Sequence, residues 1–228
     1  MDETPLDNIV WHSLVGDHAA YSAGTGSVRR YASGFPPVLA FADPERPNFP
    51  TLAPFCAPDE ALYTTGWSGP VPSGWQLVAD GPMFQMVWRG ALPDADAGLR
   101  ALPLKAEHLR QALALVGLTK PGPFGERSFE LGRYLGVFEG GRLVAMAGER
   151  FRAEPLVEIS AVCSHPDFQG RGLARRLIER LVHTQRTLGQ TPFLHVMQHN
   201  TAAVRLYERM GFVTRRNLAV RVIARWPG

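Results

Sequence analysis

A short glycine loop between a strand and a helix constrains this sequence more than any other feature. The strand-like run Leu156 to Cys163 ends at His165-Pro166, and Gly170 and Gly172 follow closely. An amphipathic helix starts directly after the second glycine, with an apolar face formed by Leu173, Leu177, Leu181 and Leu188. A strand, a tight loop and a helix in this order, with further strands on both sides, predict an α/β sheet domain.

The start of that helix has the properties of an anion site. Glycine has no Cβ, so Gly170 and Gly172 let a ligand approach the backbone closely. The first N–H groups of a helix lack an intrahelical acceptor, and the helix dipole makes this end positive. Neither GxxxxGK[ST] nor a dinucleotide-type third glycine is present. The loop by itself is therefore compatible with a phosphate site or with an ordinary tight turn.

The pattern from Leu99 onward predicts regular alternation of strands and helices. We expect strands at 101–104, 156–163 and 193–197, a hairpin formed by 134–138 and 143–151, and a closing pair of strands within 213–225. Apolar periodicity predicts helices over 106–118, 172–188 and 200–210. Asn200 is a suitable N-cap for the last helix, and Gly211 is a suitable stop.

Residues 1–98 differ from the rest in composition, because they are rich in Pro, Gly and aromatic residues. Turn signals such as Asp80-Gly81-Pro82 separate short predicted strands at 38–42, 76–79 and 83–88, and a helix is predicted near 59–64. The segment 92–98 indicates a linker. We therefore divide the chain into an N-terminal lobe, residues 1–98, and a second domain, residues 99–228.

Composition excludes several classes of protein. The net charge is +3 and 45% of residues are hydrophobic, as in ordinary globular proteins, and no basic-aromatic stripe indicates nucleic-acid binding. Cys56 and Cys163 are far apart and form no CxxC motif, so we expect no disulfide framework. The start of the sequence lacks a signal-peptide pattern, and no apolar run approaches a membrane span. We expect a cytoplasmic protein without membrane or nucleic-acid partners.

Two blocks resemble the Gcn5-related N-acetyltransferases, the GNAT superfamily. The run from Val162 to Ala174 resembles the family's motif Q/R-x-x-G-x-G/A, which follows a strand and a His/Asn-Pro turn. The second block, with Asn200, Ala203, Leu206-Tyr207 and Gly211-Phe212, resembles N-x-x-A-x-x-L-Y-x-x-x-G-F. The resemblance covers about residues 100–228 and is closest to the FR47-like branch. Residues 1–98 match no motif, and a degenerate second copy of the GNAT fold is one interpretation of them.

The resemblance implies a GNAT fold, in which helices flank a mixed, mostly antiparallel sheet, and acetyl-CoA as co-substrate. The backbone of Val162, Cys163 and Ser164 would bind pantetheine as a missing strand does, and one of their N–H groups could stabilise an oxyanion. The pyrophosphate would lie on the following turn, which comprises Gln169, Gly170, Arg171, Gly172, Leu173, Ala174 and Arg175. Asn200 either caps its helix or contacts the pantetheine arm, or does both.

The reaction needs an acid for the departing thiolate and a base for the attacking amine. Tyr207 is the candidate acid, with a core tyrosine as the alternative. His195, Glu158 and Glu149 are candidate bases; His195 could instead be structural, Glu149 with Glu130 could bind a charged acceptor, and water could remove the proton. His195 and His199 lie on a strand and a loop, and no HExxH occurs, so no metal site is expected.

The sequence therefore predicts an acetyl-CoA-dependent N-acetyltransferase that acts on a primary amine by direct attack. The alternative is a non-catalytic acyl-CoA-binding module with the same fold, motivated by the unexplained first 98 residues. Neither the amine acceptor nor the oligomeric state can be read from these residues.

Overall fold

The structure, a computed structural model, describes residues 2–94 and 98–226. The strands in these ranges are β1 (Ser22–Gly24), β2 (Val28–Tyr31), β3 (Leu39–Phe41), β4 (Leu62–Thr65), β5 (Trp75–Trp88), β6 (Ala101–Pro103), β7 (Tyr134–Glu139), β8 (Arg142–Ala153), β9 (Leu156–Ser164), β10 (Thr191–Met197) and β11 (Phe212–Arg225). The α-helices are α1 (Ile9–Val15), α2 (Phe49–Leu52), α3 (Leu109–Thr119), α4 (Leu173–Thr187) and α5 (Thr201–Met210). None of these helices is long and apolar enough to cross a membrane.

Eight strands form the main sheet, in the order β4-β11-β5-β10-β9-β8-β7-β6. Strands β9 and β10 are parallel, and the other neighbours in this sheet pair antiparallel. The predicted fold, a mixed and mostly antiparallel sheet flanked by helices, is confirmed. The N-terminal lobe adds a separate three-stranded sheet, β1-β2-β3.

The two faces of the main sheet carry different helices. Leu194 and Val196 of β10 pack in one apolar cluster with α4 and α5, and Phe193 packs in a second cluster with α1 and the N-terminal sheet. Successive side chains of a strand point to opposite faces, so α4 and α5 cover one face and α1 covers the other. Helix α3 packs on β8 and β9 on the α1 side, around Met146 and Cys163.

The predicted closing pair of strands is wrong. Residues 212–225 form one continuous strand, β11, whose neighbours are β4 and β5. Strand β5 lies between β11 and β10, so a segment from the first 98 residues occupies the middle of the sheet. The segment 212–225 contains no Gly or Pro to turn the chain, so it extends without interruption beside β5.

Two local predictions in the first half are also wrong. The predicted helix near 59–64 is replaced by a turn and β4. Asp80-Gly81-Pro82 forms no turn and lies inside β5. The carbonyl of Pro82 accepts from the N–H of Gln198 where β10 ends. The nitrogen of Pro82 faces the same side as this carbonyl, so its missing N–H falls at the end of the β10 ladder, where a strand tolerates it.

The division at residue 98 stays a prediction, although β4 and β5 contribute to the main sheet. The linker predicted at 92–98 includes residues 95–97, which lie outside the described residues. The predicted ends of α5 are confirmed: Asn200 Oδ1 accepts from the N–H of Ala203 at 3.2 Å, and Gly211 follows the helix in the left-handed region, with φ 103°.

We expect Gly211→Ala to lower the free energy of unfolding by about 2 kcal/mol, because it combines left-handed strain with overpacking. A Cβ at this position would lie 2.8 Å from the Cα of Gly90. Gly189 is the matched control, because its φ is 74° and a Cβ there meets no atom within 4 Å. Gly189→Ala should cost about 1 kcal/mol for the strain alone. Equal losses in urea denaturation would contradict the contact with Gly90.

Candidate active site

Strands β9 and β10 diverge and leave a V-shaped opening in the sheet. They pair only where 156–158 lie beside 191–193. Beyond that point β9 follows β8 to Ser164, and β10 follows β5 to Met197. The apex of the V is at Glu158, and its arms are residues 159–164 and 194–197. The backbone on the inner side of each arm has no strand partner within the described residues, so an extended ligand can bind between the arms.

A bulge shapes the β9 arm. Ala161 has φ 52°, and the register between β8 and β9 shifts beside it. A bulge redirects backbone groups and side chains locally. The arm continues through Val162, Cys163 and Ser164, the residues predicted to hold pantetheine. Burial raises the pKa of the Cys163 thiol to about 11, so this thiol is a poor nucleophile at neutral pH.

The loop after the β9 arm leads to an uncapped helix start. Gly170 and Gly172 have φ 75° and 71°, with open space around both. Helix α4 then begins without a side-chain cap and without an acidic residue in its first turn. The Arg171 guanidinium lies over the Phe168 ring, 4.6 Å from its centroid. Arg175 is largely exposed and lies 3.3 Å from Glu179. The start of α4 is therefore suitable for an anion, because its first N–H groups are free, the helix dipole is positive there and the two arginines are close.

A cavity of about 370 Å³ lies between α4 and α5, beyond that helix start. Its cationic lining residues are Arg175 and Arg209, and its apolar ones include Leu206 and Met210. Trp88 also lines the cavity, and its buried indole N–H has no hydrogen-bond partner among the described residues. Glu179 also lines the cavity and pairs with Arg175. The cavity therefore offers the charge of Arg209 and an apolar surface to one ligand.

Tyr207 lies on α5 in the same cluster as the β10 arm. Its side chain is 8% exposed, and its ring meets Phe212 edge-on at 6.0 Å. Burial raises the phenol pKa to about 12, so the hydroxyl keeps its proton at neutral pH. Within the described ranges this hydroxyl has no hydrogen bond, so the proton is free for donation.

His195 and Glu158 meet at the apex of the V. His195 Nδ1 lies 2.7 Å from Glu158 Oε1, and both side chains are buried on the α1 face. Arg150 binds the same carboxylate through two 2.8 Å hydrogen bonds. Burial alone would raise the pKa of Glu158, but Arg150 and then His195 outweigh it and hold the pKa at about 2. Glu158 is therefore ionised at neutral pH.

The other carboxylates lie elsewhere. Glu149 is buried on the α4 face, where it accepts from Gln185 at 3.0 Å and pairs with Arg133 and Arg152. These contacts join β8 to α4 and to Arg133, the residue before β7. Glu130 is near the surface and pairs with Arg127, whose hydrogen bond lowers the pKa of Glu130. Their functional roles stay predictions.

Two polar residues of this site were missed in the sequence. Arg150 neutralises Glu158, and Gln85 on β5 binds the second ring nitrogen of His195 at 3.2 Å. Gln85 is a single polar residue in the apolar run 83–88. A lone polar residue in such a run is a signal for a buried hydrogen-bonded group.

Comparison with known proteins agrees with this geometry. A family model for FR47-like protein matches residues 134–222. A solved structure from Novosphingobium aromaticivorans, described as an acetyltransferase from the GNAT family, is similar to this chain with a TM-score of 0.86 and 33% identity. The similarity covers 97% of this chain and 98% of that one. A GCN5-related N-acetyltransferase from Kribbella flavida shares the fold, with a TM-score of 0.61, 16% identity and coverage of 97% and 96%.

A curated relative is similar over a shorter stretch. The N-alpha-acetyltransferase RimI of Mycobacterium tuberculosis is 38% identical over 82 residues, or 35% of this chain. The chain spans about half the length of that relative, 51%. The Novosphingobium structure is similar along almost the whole chain, including the N-terminal lobe. This chain therefore belongs to the GNAT superfamily, with an FR47-like segment at residues 134–222.

Proposed function

We propose that this protein is an N-acetyltransferase that uses acetyl-CoA as donor and a primary amine as acceptor. The observation that supports this proposal most directly is the opening between β9 and β10. It leads to the start of α4, where no side chain caps the helix. An extended polar chain that ends in an anion fits such a groove. Pantetheine linked to a pyrophosphate has this form, and the names of the relatives support the acetyl group.

The donor would bind along one continuous path. Pantetheine bonds to the backbone of 162–164, and the pyrophosphate lies on 169–175. The nucleotide end enters the cavity between α4 and α5, where Arg209 faces its phosphate and Trp88 forms part of the wall. Asn200 lies at the end of the β10 arm, where its side chain caps α5 and borders the pantetheine.

The transfer itself is one direct displacement. The neutral amine attacks the thioester carbonyl, a C–N bond forms and the C–S bond breaks. Tyr207 donates its proton to the departing thiolate. A water molecule in the V takes the amine proton. The Nδ1–H of His195 holds the Glu158 carboxylate at the apex, where its negative charge stabilises the ammonium that forms in the attack. Glu149 has no part in this mechanism, because its contacts are those of a residue that joins sheet and helix.

Calorimetry with acetyl-CoA and release of CoA thiol across an amine panel test the proposal. We expect binding and transfer to at least one amine. Arg209→Ala should weaken acetyl-CoA binding by about tenfold, because it removes a charge-assisted contact. Arg205→Ala is the matched control, since Arg205 is exposed on the same helix and does not line the cavity. Absence of binding would refute the proposal, and binding without transfer would favour the non-catalytic acyl-CoA module.

A further inference from the structure

Gln85 lies at the centre of a buried network that joins the N-terminal segment to His195. Its side chain is fully buried, and β5 places it opposite His195 of β10. The Gln85 Nε2 atom lies 2.9 Å from the carbonyl oxygen of Leu6 and 3.2 Å from His195 Nε2. The Gln85 Oε1 atom lies 3.1 Å from a guanidinium nitrogen of Arg215. All of its polar atoms are therefore engaged.

These partners determine which atom of the amide donates. Arg215 can only donate, so it requires Oε1 of Gln85 as acceptor, and the Leu6 carbonyl requires an N–H donor. The second amide hydrogen then points to His195 Nε2, which must be unprotonated. The ring proton is on Nδ1, where it is donated to Glu158. The network thus assigns one neutral tautomer to His195.

Two anchors hold this network, Arg215 of β11 and the N-terminal turn. Arg215 lies at a bulge of β11, where the register with β5 shifts between Thr214 and Arg216. Its guanidinium also binds Asp7 at 2.8 Å and the Glu3 carbonyl at 3.3 Å. The 3-10 turn Thr4–Asn8 supplies Asp7 and the Leu6 carbonyl. The N-terminal segment therefore holds Gln85 both directly and through Arg215.

We propose that Gln85 is a positioning residue that keeps His195 as the neutral Nδ1–H tautomer, and that Arg215 and the N-terminal turn hold Gln85 in the orientation this requires. The functional part rests on the proposed transfer reaction, in which the Nδ1–H of His195 holds the Glu158 carboxylate at the apex of the V. In this tautomer the Nε2 lone pair accepts from the Gln85 N–H, and the one ring proton, on Nδ1, is donated to Glu158. Gln85 does not contact the reacting atoms.

Nitrogen NMR of the histidine rings tests this proposal without any activity measurement. The His195 signals are identified by their loss in His195→Gln. In the unmodified protein at neutral pH we expect a protonated Nδ1 and an unprotonated Nε2. Gln85→Met should alter the Nε2 signal, because its donor is removed. Arg215→Met should also alter the Nε2 signal, although Gln85 is still present. The Gln85 amide then loses the hydrogen bond from Arg215 and can rotate.

Arg216→Met is the matched control. Arg216 also pairs with Asp7, at 3.1 Å, but has no bond to Gln85, so the His195 signals should be unchanged.

In the transfer assay Gln85→Met should lower kcat about tenfold with little change in KM for acetyl-CoA. His195 signals identical in all three variants, or a ring protonated on Nε2 in the unmodified protein, would overturn the proposal. Altered signals in a protein that transfers no acetyl group would support the positioning role and refute the function instead. Arg215→Met, at a partly exposed position, keeps the test decisive if Gln85→Met does not fold.

Discussion

Tyr207→Phe is expected to lower the turnover of acetyl transfer by about 100-fold, the lower end of what a positioned proton donor contributes. The substitution removes only the hydroxyl. The ring contact with Phe212 and the burial of the side chain are kept. Because burial raises the phenol pKa to about 12, the group is a protonated donor at neutral pH, and no other described residue uses that proton. The thiolate of CoA would then leave without an acid.

The measurement separates chemistry from binding. Single-turnover transfer reports the chemical step, and calorimetry reports the affinity for acetyl-CoA. We expect the affinity to change less than twofold, because the phenylalanine ring still packs against the β10 cluster. Thermal unfolding controls for the loss of one polar atom from the core. Turnover and affinity that fall together would show that Tyr207 is a packing residue.

Local signals in the second half of the chain were sufficient to predict most of its elements. Asn200 and Gly211 mark the ends of α5 with a side-chain cap and a left-handed glycine, both of which depend on near neighbours. The strand, loop and helix around Gly170 and Gly172 follow from equally local rules. The resemblance to a family then added a donor, which periodicity alone does not contain.

The place of β5 could not be predicted in the same way. Its neighbours β10 and β11 are more than 100 residues away in the sequence, and no local pattern encodes such a pairing. The Gly81-Pro82 signal indicates a turn in most contexts. Here the strand continues, because Pro82 lies opposite Gln198, one residue past the end of β10, so the missing N–H falls at the end of that ladder.

The candidate bases also show that local sequence patterns do not predict contacts between distant residues. Alternation along β10 is enough to place His195 on the face opposite to Leu194 and Val196. It did not predict the partner of His195, because the contact with Glu158 depends on the parallel register of β9 and β10 at the apex. The rival candidates Glu158 and His195 are thus one hydrogen-bonded pair, and their roles have to be tested together.

The ion pair at the apex is expected to dominate the stability of the site. Glu158→Gln should lower the free energy of unfolding by about 3 kcal/mol at pH 7, because it leaves the Arg150 charge buried without its partner. The carboxylate is 1% exposed and receives two hydrogen bonds from that guanidinium. Glu130→Gln is the matched control: its pair with Arg127 is exposed, and its loss should cost less than about 1 kcal/mol.

The stabilisation by Glu158 depends on pH, and the direction of that dependence follows from the pKa of its carboxyl group. The pKa of Glu158 is about 2 in the folded chain, and an unfolded glutamate has a pKa of about 4.3. Its stabilisation is therefore complete above about pH 4.3 and is lost as the pH falls toward 2. Urea denaturation should show the difference between the unmodified protein and Glu158→Gln narrowing from pH 6 toward pH 3. A difference that stays constant over this range, or that equals the loss in Glu130→Gln, would show that the apex carboxylate is not held ionised by Arg150.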